Sequence, residues 1–575
     1  MGGAATAVPP ATDRRLSQAI WYCRDEAKAL PSASPKPVTT DHIETSAPAE
    51  SASQRAVPAL ATARARVAAL LATRAKTMST PFPGWGFLWQ PALLGFAALV
   101  AIAVGSSFSD SPFKLEMPNT WFFGVPTHNV ASFAPVNSTT ILFGLVLVYG
   151  GIVALMRVWI RLSDVVLAHP GAPISKLVWT LALWTLPMLV IAPILSRDVF
   201  SYAAQGEMVT RHINPYRYGP ATLGSGPYVA PVDSLWSNVP APYGPLFLSL
   251  DGWIVQLSGH NQMVTVIGLR LLEVAAVALL AWTLPMLARS LGYDPGYAFV
   301  MGLLNPLVVL TIIGGAHNDG LMVALLVAGL ALAMKKHPVW GIVVCAMAAS
   351  IKAPAALGIV YIAWEWLGPN LPVRQRLRPL AVAGLVGGAV LGVLTMISGL
   401  GFGWVANLAT PGTVRSWEAP ATGLGMLLAW MCRLVGFHVA SGSAIELTRG
   451  IGLLAAGILI IWLLFNADRL GWLKALGLSM LAIVLLGPVV QPWYLTWGLV
   501  LLAPVAVGRL RTWMIVLSVV SPFVGLPGGR ELLSGIVHAP MIETAAVLLV
   551  LWAVLLAPMG RWTTYGRPRT ALLPA

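Results

Sequence analysis

The segment 194–218, ILSRDVFSYAAQGEMVTRHINPYRY, concentrates reactive side chains in a chain where such groups are scarce. Asp198 follows the apolar run 177–195, and an acid at the end of a membrane span is costly unless it is paired or used. Beyond it, VFSYAAQGE reads as a short helix that puts Asp198, Tyr202 and Gln205 on one face. A carboxylate so placed is a candidate general base toward a hydroxyl, with Arg197 and Arg211 as candidate phosphate binders. The competing reading is structural: an ion pair between Asp198 and Arg197 at the span end.

Other polar clusters interrupt the apolar sequence. GGAHND, residues 314–319, brings His317, Asn318 and Asp319 to the joint of two apolar runs. Asn318 there suits the N-cap of the following helix. His317 and Asp319 lie two positions apart, but no second histidine cluster accompanies them, so no metal site is assigned. Lys352, in SIKAP (350–354), has no acid nearby in sequence and would find a counter-ion in a lipid phosphate. Arg270 has Glu273 three residues on to neutralise it. Asn214, Tyr216, Tyr243, Trp493 and Tyr494 add amide and aromatic groups, and Asp233, Trp236, Trp404, Arg415, Glu418 and Gln491 lie in turns on the same side. Acids and amides pair with hydroxyls while rings stack on the apolar face of a pyranose, so this set suits a carbohydrate. Aromatic residues also gather at membrane interfaces for amphipathic reasons alone.

The elements that position these groups are membrane helices. The chain is 57% hydrophobic and only 10% charged, with a mean hydropathy of +0.75. Its net charge of +14 falls mainly in the N-terminal tail, short loops and the C-terminus, the pattern of the positive-inside rule, and so argues against nucleic acid as a partner. Three scattered cysteines exclude a disulfide framework, and the first eighty residues contain no signal-peptide core. Residues 1–80 read as a disordered cytoplasmic tail, with 54–76 a candidate basic helix on the inner leaflet.

Spans are expected near 86–107, 140–160, 174–196, 262–287, 295–314 and 318–334, then two short ones within 338–368 broken at SIKAP. More follow at 377–397, 447–465, 471–489, 493–507, 511–527 and 541–558. Segments 243–258 and 419–437 read as re-entrant or interfacial. This predicts an all-α polytopic membrane protein of about fourteen crossings, a transmembrane domain over 81–560 and a cytoplasmic tail over 561–575. Both termini then lie inside, and Asp198, 314–319 and Lys352 lie on the outer side.

With those residues in view, the chain resembles the actinobacterial α-(1→6)-mannopyranosyltransferases of the GT-C superfamily. The likeness rests on RDVFSYAAQGEMVTRHINPY, APYGPLF (241–247), GGAHND and QPWYLTW (491–497), and runs from about residue 85 to 560. It implies a polyprenyl-phosphate-mannose donor, a mannan acceptor of the lipomannan and lipoarabinomannan core, inversion at the anomeric carbon, and no cofactor. It also implies Asp198 as base on the acceptor 6-hydroxyl and Lys352, Arg197 or Arg211 as phosphate binders. Sugar contacts would come from Tyr202, Gln205, Asn214, Tyr216, Tyr243, His317, Asn318, Asp319, Trp493 and Tyr494. Arg197 precedes Asp198, so the acidic pair common in the superfamily is absent here. A lipid-linked sugar transporter, or a transferase for another sugar such as arabinofuranose, is the alternative. The single early outer loop speaks against the paired half-repeats of transporters.

Overall fold

The computed structural model describes residues 85–107, 120–122, 125–127, 138–437, 439–523, 549 and 553. The tails 1–80 and 561–575, the basic helix 54–76 and nearly all of the expected span 541–558 lie outside the described residues.

Long runs of Leu, Val, Ala and Ile make helices, because a helix satisfies every internal backbone group without water. In chain order they are α1 Trp89–Ser106, α2 Ser138–Ala168, α3 Ile174–Val190, α4 Asp198–Thr210, α5 Pro245–Leu257, α6 Gln262–Ser290, α7 Pro295–Gly302 and α8 Asp319–Met334. Then come α9 Pro338–Ala349, α10 Ala356–Glu365, α11 Val373–Ser398, α12 Pro420–Leu434, α13 Ser441–Phe465, α14 Trp472–Leu486, α15 Thr496–Leu502 and α16 Gly508–Val520. A hairpin of β1 Thr120–Phe122 and β2 Val125–Thr127 pairs Trp121 with Pro126. The chain is thus a helical membrane protein. Five stretches (α1, Val146–Ala168 of α2, α6, α11 and α13) are long and apolar enough to cross a bilayer.

Several expected spans are broken, each for a local reason. The span expected over 174–196 stops at Val190, because Pro193 disfavours helix in the residue before it. The span expected over 295–314 divides into α7 and a π-helix, Val308–Gly314, on either side of Pro306. The π-helix meets α8 at a bend of 112°. The break at SIKAP appears as expected, with Lys352 in extended backbone between α9 and α10. Helix α5, at 13 residues, is about 20 Å long and too short for a hydrocarbon core of about 30 Å.

Broken helices expose backbone ends, and α6 supplies their partners. Arg270 donates Nη1 to the Ile191 carbonyl at 2.5 Å and Nη2 to the Gly314 carbonyl at 3.0 Å, serving the chain ends after α3 and the π-helix. Glu273 accepts from the Leu321 amide at 2.9 Å, at the positive start of α8. Two expectations are thereby corrected: Arg270 and Glu273 act on different helix ends rather than neutralising each other, and Asn318 makes no side-chain cap.

Packing elsewhere depends on close approach. Trp184 of α3 donates to the Ala92 carbonyl at 3.0 Å and lies where a Cβ on Gly95 would stand, so only glycine fits α1 there. The helices zigzag between two ends. At one, Asp198, 314–319, Lys352 and 491–494 converge. At the other, Arg376 pairs with Asp468 at 2.7 Å and Arg511 with Asp164 at 2.5 Å.

Candidate active site

A cavity of about 360 Å³ opens beside the start of α4. Asp198, Ser201 and Gln205 line it, at the i, i+3 and i+7 spacing that keeps one helical face toward one space. The helix begins where the Asp198 amide donates to Ser196 Oγ at 3.1 Å. Burial pushes the Asp198 carboxyl up to about 6, against the opposing pull of the Lys352 charge and the Ser196 hydrogen bond. The acidic neighbours Asp319 and Asp233 push in the same direction as burial. Its side chain is 16% exposed, so it is both shielded and reachable.

Behind Asp198 sits a buried polar layer. The nearest basic atom to its carboxylate is His317 Nδ1, 3.6 Å from Oδ2, and the two ring nitrogens of His317 are buried without hydrogen-bond partners. The ring lies flat on Trp493, centroids 3.7 Å apart, and Ala316 before it takes a left-handed φ of 55°. Asp319 is fully buried and accepts from Lys352 Nζ at 2.9 and 3.0 Å and from Trp497 Nε1 at 2.5 Å. Lys352 stands 4.4 Å above the Tyr494 ring, a cation–π contact out of bulk water. Tyr202, Tyr243 and Phe247 pack edge to face beneath the cavity, with centroids 5.1–5.4 Å apart.

The fold therefore sorts the residues singled out by sequence. Arg197, Asp198, Gln205, Tyr243, Trp493 and Tyr494 line the cavity. Tyr202, His317, Asn318, Asp319 and Lys352 form the layer behind it. The acid that sequence did not supply to Lys352 comes from Asp319 by folding. Arg197 forms no ion pair with Asp198 among the described residues, so the pairing expected at the span end is not seen.

Arg211, Asn214 and Tyr216 are not brought to the cavity. Helix α4 carries Arg211 about 20 Å beyond its start, where Nε donates to Glu207 Oε1 at 2.7 Å. Asn214 donates to the Leu400 carbonyl at 2.9 Å and accepts from the Tyr216 amide at 2.9 Å. Tyr216 packs with Ala241 and Leu248, and would meet any Cβ added at Gly403. Asn214 and Tyr216 hold a loop junction instead, and Arg211 pairs within its own helix.

Asp233, Trp236, Arg415 and Glu418, which sequence grouped with the residues suited to a carbohydrate without an individual role, also line the cavity, as does Trp417, which it did not single out. Their one local signal was charge and aromatic character in turns on the same side as Asp198. Among the described residues no group of three or more His, Cys, Asp or Glu side chains stands where it could hold a metal ion.

Comparison with known proteins identifies the family of the chain. A family model described as the alpha-(1->6)-mannopyranosyltransferase N-terminal domain matches residues 92–368, and one described as the MptB C-terminal domain matches residues 421–557. A Mycolicibacterium smegmatis protein named "Probable alpha-(1->6)-mannopyranosyltransferase" is 32% identical over 500 residues, 80% of this chain and 87% of the relative. Alpha-(1->6)-mannopyranosyltransferase A of Mycobacterium tuberculosis is 31% identical over 74% of this chain and 84% of its own. Alpha-(1->6)-mannopyranosyltransferase B of Corynebacterium glutamicum is 29% identical over 68% of this chain and 69% of its own. No solved structure matches. With an acid-bearing, aromatic-lined cavity inside the span of those matches, the chain belongs to the α-(1→6)-mannopyranosyltransferase family.

Proposed function

We propose that this protein is an inverting glycosyltransferase that moves mannose from polyprenyl-phosphate-mannose to the 6-hydroxyl of an α-1,6-mannan acceptor. In the single displacement, the acceptor O6 gives its proton to the Asp198 carboxylate as it bonds to the anomeric carbon. The bond from that carbon to the phosphate oxygen breaks, and polyprenyl phosphate leaves with the electron pair. The observation that carries this reading is the carboxylate of Asp198 on a shielded cavity. A base whose pKa lies near 6 is ionised at neutral pH yet basic enough to take a proton in the transition state.

The other groups have complementary tasks. Arg197 and Arg415 are the guanidinium groups lining the same cavity and are assigned to the donor phosphate. Lys352, engaged by Asp319, supplies the positive charge that keeps Asp198 ionised despite burial. Gln205, Tyr243, Trp493 and Tyr494 offer an amide and ring faces to the sugars. The step as written uses no cofactor or metal.

In the same reading, residues 81–560 form one transmembrane catalytic domain of about fourteen crossings in the plasma membrane, with the cavity at the outer face and cytoplasmic tails at 1–80 and 561–575. The basic clusters Lys335–Lys336 and Arg374–Arg378, at the helix ends opposite Asp198, support that orientation. The lipid-facing donor and the lipomannan or lipoarabinomannan acceptor would then meet at the bilayer surface.

The test is mannosyl transfer in isolated membranes supplied with polyprenyl-phosphate-mannose and a short α-1,6-mannoside. Wild type should extend the acceptor, and Asp198→Asn at equal abundance should not. Undiminished transfer by the variant would remove Asp198 from the chemistry. Failure of both would point to another sugar or to transport.

A further inference from the structure

One side of the cavity is built from chain with little regular structure. Thr410, Val414, Arg415, Trp417 and Glu418 line it, and they belong to a 3-10 stretch, Asn407–Thr413, and the irregular residues after it. Such a segment has few backbone partners of its own and must be held from outside to present side chains in one place.

A single guanidinium does so. Arg449 of α13 donates Nη1 to the Gly412 carbonyl at 2.5 Å and Nη2 to the Val414 carbonyl. The same group donates Nε to Thr422 Oγ1 at 2.8 Å and reaches the Pro488 carbonyl at 3.4 Å. Thr422 in turn donates to Pro488 at 2.7 Å. Pro488 leads straight into Val489 and Gln491, which also line the cavity. One planar fork therefore ties together the loop, the start of α12 and the end of α14. A lysine cannot replace it, since its ammonium is a point donor and not a fork.

We infer that Arg449 is a positioning residue for donor binding: by holding residues 412–414 it sets Arg415, Trp417 and Glu418 on the cavity that Asp198 serves. The inference rests on the transferase reading of that cavity. It also gives a task to the segment matched by the second family model, 421–557. That segment contains Arg449, Thr422 and Pro488, and it holds the intervening residues, which neither model covers, against a base contributed by the first segment.

The bland alternative is that Arg449 only staples α12 to α13. Two readouts on the full-length protein separate these. The first is limited trypsin digestion followed by mass spectrometry of cleavage after Arg415, which is exposed and needs no catalysis to report loop position. The second is the donor KM and kcat of membrane-borne enzyme. For Arg449→Lys we expect cleavage after Arg415 to rise about tenfold and donor KM to rise about tenfold, with kcat falling far less. The acidic limb of the pH profile should stay in place, because the groups that set Asp198 do not touch Arg449. Thr422→Val, which removes the Nε partner and the Thr422 bond to the Pro488 carbonyl but keeps the guanidinium, should move both readouts in the same direction and covers the case in which Arg449→Lys does not fold.

Unchanged cleavage and unchanged KM in the folded variants would overturn the inference and leave a helix staple. Faster cleavage with a wild-type protein that transfers no mannose would overturn the link to donor binding and the transferase reading with it. Loss of kcat with unaltered KM would place Arg449 outside donor positioning.

Discussion

Lys352 and Asp319 meet at 2.9 Å across 33 residues of chain, at the joint of two broken helices, with the lysine over the ring of Tyr494. The pair is nearly dry: the lysine side chain is 12% exposed and the carboxylate not at all. Removing one partner of such a pair strands the other, typically at a cost of about 3–5 kcal/mol. Lys352→Met should therefore lower the thermal unfolding midpoint in detergent. It should also move the acidic limb of the pH–rate profile upward, since Lys352 is the main charge drawing the Asp198 carboxyl back down. Lys352→Arg, which keeps the charge, should restore most of the pH profile. A profile that does not move in Lys352→Met would sever that electrostatic link.

Asp198 itself sets the pH dependence of the wild type. As a base it acts ionised, so kcat/KM should fall about tenfold per pH unit below about 6 and level off above it. Asp198→Asn should lose that limb along with about 10²–10⁴ of the rate. The stability effect has the opposite sign. The carboxyl is near 3.8 when unfolded and about 6 when folded, so its ionisation opposes folding at pH values above the folded pKa. Asp198→Asn should thus gain stability at pH 7, by no more than about 3 kcal/mol, and the gain should fade as the pH drops toward 4. Equal stability of the two proteins across that range would show that the acid is solvated in the folded state.

Gly244 sets the distance between Tyr243 and the lysine turn. Its amide donates to the Ile351 carbonyl at 3.1 Å, and a Cβ there would lie 2.3 Å from the Ser350 carbonyl oxygen. Backbone cannot yield as a flexible side chain does. Gly244→Ala should push the Tyr243 segment from 350–352 and cut kcat/KM at least about tenfold, while the protein remains membrane-inserted. Near-normal transfer by this variant would mean that the two segments need not touch.

Arg270 should matter for stability more than for chemistry. Its guanidinium covers carbonyls at Ile191 and Gly314 that have no water to turn to. Arg270→Met leaves the Ile191 carbonyl buried without this donor, at about 1–3 kcal/mol, and should lower the unfolding midpoint. The Gly314 carbonyl keeps the Ile194 amide at 3.2 Å. Donor KM should stay close to wild type in whatever fraction folds. A midpoint within a degree of wild type would show that the chain ends find other donors.

Much of this was legible in the residue order. Apolar runs of roughly twenty residues read as spans, the break at SIKAP followed from its proline, and the non-crossing segment at 243–258 from its length and the charge balance around it. Asp198 stood out because an acid at a span end must be paired or used. The breaks at Pro193 and Pro306 were missed because hydropathy stays high through both, so a window of average apolarity outweighs one residue's backbone geometry. Arg211, Asn214 and Tyr216 were grouped with Asp198 by closeness in sequence, but a helix turns nearness along the chain into distance along its axis.

Sequence by itself determined the helical membrane character, the break at SIKAP, the family and the candidacy of Asp198, because each depends on local composition or on motifs of neighbouring residues. Tertiary structure alone decided that Asp319 answers Lys352, that Arg270 and Glu273 serve different helix ends, and that Arg415 shares a cavity with Arg197. The physical reason is that apolar helices can be stacked in many orders with similar burial. Which polar group faces which is settled only when the bundle is packed.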